Sequence, residues 1–223
     1  VVSERLPRGS SLWRGPMTEL SLYSMPTSVN SYKVRLLLSF LVRRYRHVGL
    51  EYETSALADA HSSNRLPLKK LPVLELADGT RLPESNAILC YLAEGTDWLP
   101  SDPVARAQTL AWMFWEQNQH EGVVAVRAAL RTYESRKHLA TPERLAELLE
   151  AGHERLAQME DRLSGHDWIA TEEPTIADIS LYAYTHSAGP KGGFDMGRFP
   201  GINRWIARIA AMPGHVTLED VPA

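Results

Sequence analysis

An Asp-Gly pair between two short apolar runs is the feature that most narrowly limits how this chain can fold. Residues 72–76 are Pro-Val-Leu-Glu-Leu and residues 80–82 are Thr-Arg-Leu, with Ala-Asp-Gly at 77–79 between them. Because glycine accepts positive φ, Asp-Gly at such a place predicts a tight hairpin of two antiparallel strands. A helical pattern over 85–95 follows directly, so the first part of the chain is predicted to end in a hairpin and a helix.

The residues before the hairpin alternate between strand and helix patterns. A strand is predicted at 20–23, before the Met-Pro pair at 25–26, and apolar residues then recur at helical spacing over 34–41. A weaker strand is predicted at 45–50, whereas 58–64 is polar and has too little periodicity to favour a helix. The order β-α-β-(α)-β-β-α predicts one mixed sheet with helices on its faces.

The rest of the chain shows only helical patterns. Residues 97–103 carry two prolines and are predicted to be a linker, and residues 104–131 form a long amphipathic pattern. A second helix is predicted from Thr141-Pro142, an N-cap followed by an N1 proline. A third is predicted from the capping box at 175–178, and a last one at 202–211, before a terminating proline. Residues 104–223 are therefore expected to form an all-helical domain.

Charge and cysteine content disfavour several classes of function. The net charge is −3 and the isoelectric point about 6.3, so the chain lacks the basic field that binds nucleic acid or an anionic membrane surface. Its single cysteine, Cys90, can form neither an intramolecular disulfide nor a Cys-x-x-Cys pair, and no zinc-ligand spacing occurs. We therefore expect a cytoplasmic protein without a metal, and neither a membrane span nor a signal peptide is predicted.

Residues 1–16 are set apart from these patterns. They contain Leu-Pro-Arg-Gly-Ser at 6–10, which resembles part of a protease-cleavage linker, and a regular pattern begins only at Met17. We expect residues 1–16 to be a tag, or an extension from a misassigned start. The two folded domains are then expected at 17–96 and 104–223.

Three segments of the first domain carry polar groups that suit a ligand. The turn 25–31 supplies hydroxyls and an amide at a helix N-terminus, where unpaired N–H groups and the helix dipole favour an anion or a thiolate. In the second segment, 69–73, a cis bond before Pro72 would leave the backbone of Leu71 free to pair with an extended peptide. The third opens a helix with Glu84-Ser85, suited to an ammonium and a carboxylate. Taken alone, each helix start is better explained as an ordinary cap.

Taken together, the three segments resemble, in order and spacing, the thioredoxin-like domain of cytosolic glutathione transferases. Residues 22–35 are similar to the first strand, turn and helix of bacterial serine-type members. Leu71-Pro72 is similar to the cis-proline segment of the family, and Glu84-Ser85 to its glutamate-serine pair. The helical remainder resembles the second domain of that family. The resemblance implies an α/β thioredoxin-like domain with a mixed four-stranded sheet, followed by an all-α domain.

The resemblance also implies roles for individual residues. The hydroxyl of Ser28 is expected to donate to the glutathione sulfur, with Asn30 and Thr27 as competing or assisting groups. The backbone of Leu71, before the cis Pro72, is expected to pair with the cysteinyl part of glutathione. Glu84 and Ser85 are expected to bind its γ-glutamyl end, and Lys70 its glycine carboxylate. A donor at the sulfur is chemically reasonable, because the thiolate is the nucleophile and a free thiol is mostly protonated at neutral pH.

The implied activity is conjugation of the glutathione thiolate to small hydrophobic electrophiles, as in detoxification, by a homodimer. Glutathione is then a co-substrate, and no metal takes part. Trp115 and His120 are candidates for the electrophile site, although such residues at helical spacing more often belong to the core. Glutathione-dependent disulfide-bond reduction and a non-catalytic binding module stay open as alternatives.

One loop departs from the family pattern. Relatives commonly have Asn-Pro-x-Gly-Lys before the cis-proline segment, whereas residues 66–70 here are Leu-Pro-Leu-Lys-Lys. The missing asparagine and glycine predict an altered loop. Together with the poor helical pattern at 59–64, they predict weak affinity for glutathione.

Overall fold

Four short strands form one mixed sheet in the computed structural model, which describes residues 20–222. The strands are β1 Ser21–Ser24, β2 Arg46–Gly49, β3 Val73–Glu75 and β4 Arg81–Pro83. Their order is β2-β1-β3-β4, with β1 and β2 parallel and the other neighbours antiparallel. The predicted sheet and hairpin are confirmed: the Leu76 N–H donates to the Thr80 carbonyl over 2.8 Å, and Gly79 has a φ of +84°.

Three helices accompany this sheet, namely α1 Val29–Phe40, α2 Ser55–Ser62 and α3 Ser85–Ala93. Helix α2 is the bracketed helix of the predicted order, and the expectation of a poor helix at 59–64 was wrong over 59–62. Thr54 caps α2, its Oγ1 accepting from the Leu57 N–H over 3.3 Å, and Ala60 is the one residue that this helix buries. A helix that buries a single small residue has no apolar stripe, so periodicity gave no signal.

The C-terminal segment 213–222 belongs to the first unit, together with residues 20–99. The predicted boundary had assigned it to the helical domain. Ser39 Oγ donates to the Gly214 carbonyl and Tyr32 Oη to the Val216 carbonyl, both over 2.7 Å, so the segment is attached along α1. Such attachment uses backbone carbonyls of an irregular segment, which leave no periodic pattern in the sequence.

Residues 100–212 form the second unit, which contains helices and, within this range, no strand. The helices are α4 Pro103–Trp115, α5 Val126–Thr132, α6 Pro142–Leu163, α7 Ile176–Thr185 and α8 Pro200–Ala210. The predicted all-helical character is thus confirmed. Over residues 20–222, no helix combines the length and the apolar character that crossing a membrane requires.

The single helix expected at 104–131 is interrupted by a π-helix, Glu116–Ala125, between α4 and α5. Its buried residues are Glu116, His120 and Val124. A spacing of four residues keeps a side chain on the same face of an α-helix as well, so the interruption left no signal in the periodicity.

A buried carboxylate anchors the start of α7. The predicted capping box is confirmed: Thr175 Oγ1 accepts from the Ala177 N–H over 3.2 Å, and Asp178 Oδ2 accepts from the Thr175 N–H over 2.8 Å. Asp178 Oδ1 also accepts from the Ile169 N–H and from Trp205 Nε1, each over 2.9 Å. Burial raises the pKa of Asp178, and these hydrogen bonds act in the opposite direction. One side chain therefore ties three segments of the second unit together.

Candidate functional site

One row of residues across the sheet brings the three polar segments to the same place. Tyr23 of β1 pairs with Val73 of β3, and Val73 pairs with Pro83 of β4. The turn after β1, the Leu71-Pro72 bond before β3 and the helix start after β4 all adjoin this row. The segments singled out in the sequence therefore share one edge of the sheet in the first unit.

Ser28 is the N-cap of α1. Its backbone is extended, with φ −78° and ψ 126°, and its Oγ accepts from the Ser31 N–H over 3.3 Å. Ser31 Oγ in turn accepts from the Met25 N–H over 3.2 Å, so the turn is held at both ends. A hydroxyl has one donor and two acceptor sites, so one that accepts a bond keeps its own proton to donate. Ser28 can thus cap the helix and donate to a ligand at the same time.

A hydrogen bond joins the starts of α1 and α3. Ser85 Oγ donates to Asn30 Oδ1 over 3.2 Å across 55 positions of sequence. Both residues lie in the first turn of their helix, and neither of these two turns carries an acidic side chain. Two positive helix ends therefore meet at this contact, which favours an anionic ligand.

The peptide bond between Leu71 and Pro72 is cis, as the resemblance implied. The ladder between β1 and β3 ends at Val73, so the backbone of Leu71 lies beyond it. The Leu71 side chain packs against an apolar cluster that includes Tyr23. The neighbouring Lys70 is exposed, so its ammonium is open to a ligand.

The loop before this bond has a glycine-type conformation without a glycine. Lys69 stands where relatives commonly have glycine, and its φ is +53°. The Lys69 N–H donates to the carbonyl of the buried Leu66 over 2.9 Å, which closes the turn. A side chain with a Cβ in this conformation costs roughly 1–2 kcal/mol.

Glu84 is also held in an unusual backbone conformation, with φ +70° and ψ 115°. It occupies the N-cap of α3, yet its exposed side chain makes no hydrogen bond to the first turn of that helix. Strained residues persist only where the surrounding structure enforces them, and they cluster at functional sites. The start of α3 therefore presents backbone N–H groups to a ligand without a side-chain cap from Glu84.

Comparisons with known proteins agree with this geometry. Residues 22–97 match the glutathione S-transferase N-terminal domain, and residues 122–213 match the C-terminal domain. A glutathione S-transferase structure from Pseudomonas fluorescens Pf-5 is 40% identical, with a TM-score of 0.84 over 90% of this chain and 99% of that one. This chain belongs to the glutathione S-transferase family.

Other relatives of this family member differ in the activity that their names state. A structure from Rhodopseudomonas palustris, described as a possible glutathione S-transferase, is 39% identical, with a TM-score of 0.85 over 91% of this chain and 99% of that one. The disulfide-bond oxidoreductase YfcG of Escherichia coli is 28% identical over 87% of this chain and 91% of its own length.

Glu51 lies beside the candidate site, in contact with Thr27, and the sequence patterns did not predict this contact. Thr27 Oγ1 donates to the two carboxylate oxygens of Glu51 over 3.3 and 3.4 Å. The signal was present in outline, because parallel β1 and β2 end at the same edge, and the Leu50 N–H donates to the Ser24 carbonyl over 2.9 Å. Because its hydroxyl is directed toward Glu51, Thr27 is a weaker candidate than Ser28 for contact with the sulfur.

Trp115 and His120 lie in the second unit of this family member. Trp115 Nε1 donates to Gln158 Oε1 over 3.2 Å, and its ring centroid is 5.9 Å from that of His120. His120 is fully buried, and its Nε2 is 3.1 Å from Thr185 Oγ1. These contacts favour a core role for His120 over contact with an electrophile. Within residues 20–222, no cluster of three or more His, Cys, Asp or Glu side chains is arranged to hold a metal ion.

Proposed function

We propose that this chain is a serine-type glutathione transferase that conjugates the thiolate of glutathione to small hydrophobic electrophiles. The observation that carries the proposal is the hydrogen bond between Ser85 and Asn30. It joins the starts of α1 and α3 at the sheet edge where the cis Leu71-Pro72 bond also lies. Family membership supplies glutathione as the ligand class.

The site offers a group for each part of an extended tripeptide. The N-terminus of α3 at Ser85 suits the γ-glutamyl carboxylate, with Glu84 available for the ammonium group. The backbone of Leu71 lies beyond the strand ladder and suits the cysteinyl amide. The exposed Lys70 suits the glycine carboxylate. The hydroxyl of Ser28 is then the group proposed to donate to the sulfur.

The proposed chemistry uses the thiolate as nucleophile. The Ser28 hydroxyl and the positive end of α1 stabilise the thiolate and lower the thiol pKa, so the thiol proton is released to solvent. The sulfur lone pair then forms a bond to the electrophilic carbon, and the leaving group departs with the bonding electron pair. No oxidation or reduction takes place. Fixing both ends of the tripeptide converts a collision into an oriented attack.

Disulfide-bond reduction is the second candidate, and the oxidoreductase name of the Escherichia coli relative favours it. The glutathione thiolate would attack one sulfur of a substrate disulfide, forming a mixed disulfide and releasing the other sulfur as a thiolate. A second glutathione thiolate would then attack the mixed disulfide, giving oxidised glutathione and the reduced substrate. Both electrons come from glutathione, so the single cysteine of the chain, Cys90, takes no part.

The deciding experiment measures binding first and turnover second. We expect calorimetry to show glutathione binding and a thiolate absorbance titration to show a lowered pKa for the bound thiol. The kcat/KM for an activated aryl halide is then compared with that for a small dialkyl disulfide. A tenfold preference for the aryl halide supports conjugation, and a tenfold preference for the disulfide transfers the assignment to reduction. A protein that neither binds glutathione nor lowers its thiol pKa contradicts both.

We further propose that the chain forms a homodimer. Homodimers are typical of the family to which the chain belongs, which supports this proposal. Light scattering should give twice the chain mass of 25.0 kDa. A value equal to that mass at micromolar concentration contradicts the dimer.

A further inference from the structure

Arg35 is a buried cation on α1 that the chemistry above does not use. Its exposed fraction is 1%. Nη1 donates to Ser24 Oγ over 3.4 Å, and Nη2 donates to the carbonyls of Pro26 over 3.2 Å and of Leu218 over 2.8 Å. The guanidinium thus connects the end of β1, the turn that leads to Ser28, and the C-terminal segment.

Burying a positive charge at this position costs free energy of folding unless neighbouring groups offset that cost. The three acceptors are a hydroxyl and two carbonyls, all neutral, and the carboxylate that acts on the charge belongs to the exposed Glu219. Burial lowers the pKa of Arg35. Burial also lowers the pKa of His47, and the positive charge of Arg35 lowers it further. At a buried position, an apolar side chain of similar volume often gives the fold as much stability as a charged one does. Stability alone therefore does not explain an arginine here.

The third acceptor, the Leu218 carbonyl, is itself fixed. Residues 214–222, here called the C-terminal strap, are bound along α1 through Ser39 and Tyr32. Leu218 is buried, and Asp220 Oδ2 accepts from the backbone N–H and the hydroxyl of Thr217 over 2.7 and 2.9 Å. The strap therefore offers Arg35 a rigid acceptor.

We propose that Arg35 is a positioning residue of the sulfur site: locked by the Leu218 carbonyl of the C-terminal strap, it holds the Pro26 carbonyl and so fixes the turn that carries Ser28. This inference rests on the proposed function, because the sulfur site is the one assigned there. It makes residues 214–222 part of a site whose other residues lie between 24 and 35.

The mechanism of positioning follows from the covalent structure of the turn. The Pro26 carbonyl belongs to the peptide plane that leads to Thr27, and the next residue is Ser28. The Ser28 N–H donates to the Met25 carbonyl over 3.0 Å, so the Pro26 carbonyl lies inside a closed turn. Rotation of that peptide plane would move the Ser28 hydroxyl, and a displacement of about 1 Å can reduce catalysis up to about 100-fold.

Two substitutions of Arg35 separate positioning from charge. Arg35→Lys keeps a positive charge but lacks the planar fork that reaches three acceptors, and Arg35→Met removes the charge as well. Ser39→Ala is the matched control, because it removes one bond between α1 and the strap without touching Pro26. The measurements are kcat, the KM for glutathione, the pKa of the bound thiol, and hydrogen exchange at the Ser28 amide.

For Arg35→Lys we expect kcat to fall about fivefold, with the KM for glutathione changed less than about twofold. The pKa of the bound thiol should rise, and exchange at Ser28 should accelerate. Arg35→Met should show the same changes more strongly, and if it does not fold, Arg35→Lys decides. Ser39→Ala should lower the melting temperature while kcat, thiol pKa and exchange at Ser28 stay within about twofold of the wild type.

Equal changes in Arg35→Lys and Ser39→Ala, or none in Arg35→Lys, overturn the inference and leave the proposed function intact. A wild-type protein that does not lower the thiol pKa overturns the proposed function, and the assignment of Arg35 to a sulfur site with it. In that case, faster exchange at Ser28 in Arg35→Lys alone would still support the contact as a clamp on the turn.

Discussion

At the start of α7, the Thr175 hydroxyl and the Asp178 carboxylate are buried and hydrogen-bonded to groups of their own unit. At the start of α1, the Ser28 hydroxyl makes the same type of capping bond but is only half-buried, with a proton left to donate. The same residue types therefore serve two purposes. A cap that is buried and fully bonded stabilises the fold, and one that opens to solvent beside a second helix end can bind a ligand.

Backbone strain is distributed in the same uneven way. The five described non-glycine residues with positive φ all lie in the first unit, at Val42, Glu53, Asn64, Lys69 and Glu84. Two of them, Lys69 and Glu84, flank the cis-proline segment and the start of α3. These two residues have unfavourable backbone conformations beside the candidate site, as is typical of functional regions.

The largest effect is expected at the buried cap. Asp178→Ala would leave the N–H groups of Ile169, Thr175 and Trp205 without their acceptor, and should lower the free energy of unfolding by about 3–5 kcal/mol. Chemical denaturation measures this. Glu143→Ala, at an exposed acid in the first turn of α6, is the control and should cost less than about 0.5 kcal/mol. Similar losses in the two variants would remove the distinction between the caps.

Ser28→Ala should affect activity more than stability. We expect kcat/KM to fall at least about tenfold, which corresponds to about 1.4 kcal/mol, and the pKa of bound glutathione to rise. Thr141→Ala removes a cap of the same type, in which Thr141 Oγ1 accepts from the Arg144 N–H over 3.2 Å. Both variants should lose about 1 kcal/mol of stability, but Thr141→Ala should keep its activity. If Ser28→Ala keeps full activity, the sulfur role moves to Asn30 or Thr27.

The contact between Ser85 and Asn30 should show a smaller, shared effect. Ser85→Ala and Asn30→Ala should each raise the KM for glutathione about threefold to fivefold, and the double variant should be less impaired than the sum of the two. The coupling is expected to be about 0.5–1 kcal/mol. Strict additivity would show that the two helix starts bind independently.

The smallest effect is expected at Lys69. Lys69→Gly relieves a φ of +53° but loosens the unfolded chain, so a net gain in stability of about 0.5 kcal/mol is expected. Lys69→Ala keeps a Cβ and controls for the lost charge, and it should show no gain. A destabilised Lys69→Gly would mean that the lysine side chain, and not backbone strain, dominates at this position.

Much of the fold was predictable because its signals are local. The Asp-Gly hairpin, the strand before Met25 and the capping box at Thr175 depend on residues that are neighbours in sequence, and each was found where it was expected. The family resemblance implied that the three polar segments contact one ligand, and the register of Tyr23, Val73 and Pro83 shows that they share one edge of the sheet.

What sequence reasoning missed depends on contacts between distant residues or on weak patterns. Helix α2 buries only Ala60, and Glu51 reaches Thr27 because two parallel strands end together. The role proposed for Arg35 depends on backbone carbonyls, which every residue has, so no residue type in the sequence signals it. The roles of individual site residues, Ser28 among them, stay predictions that the variants above test.

The C-terminal strap also bears on how the chain is made. Arg35 donates to Leu218, and Tyr32 to Val216, across 183 and 184 positions. A ribosome releases β1 and α1 first, whereas these partners are translated only after the helical unit. The first unit therefore waits, incomplete, while the helical unit is synthesised. A nascent chain cut short before residue 214 would leave the Arg35 guanidinium without the Leu218 carbonyl, one of its three acceptors.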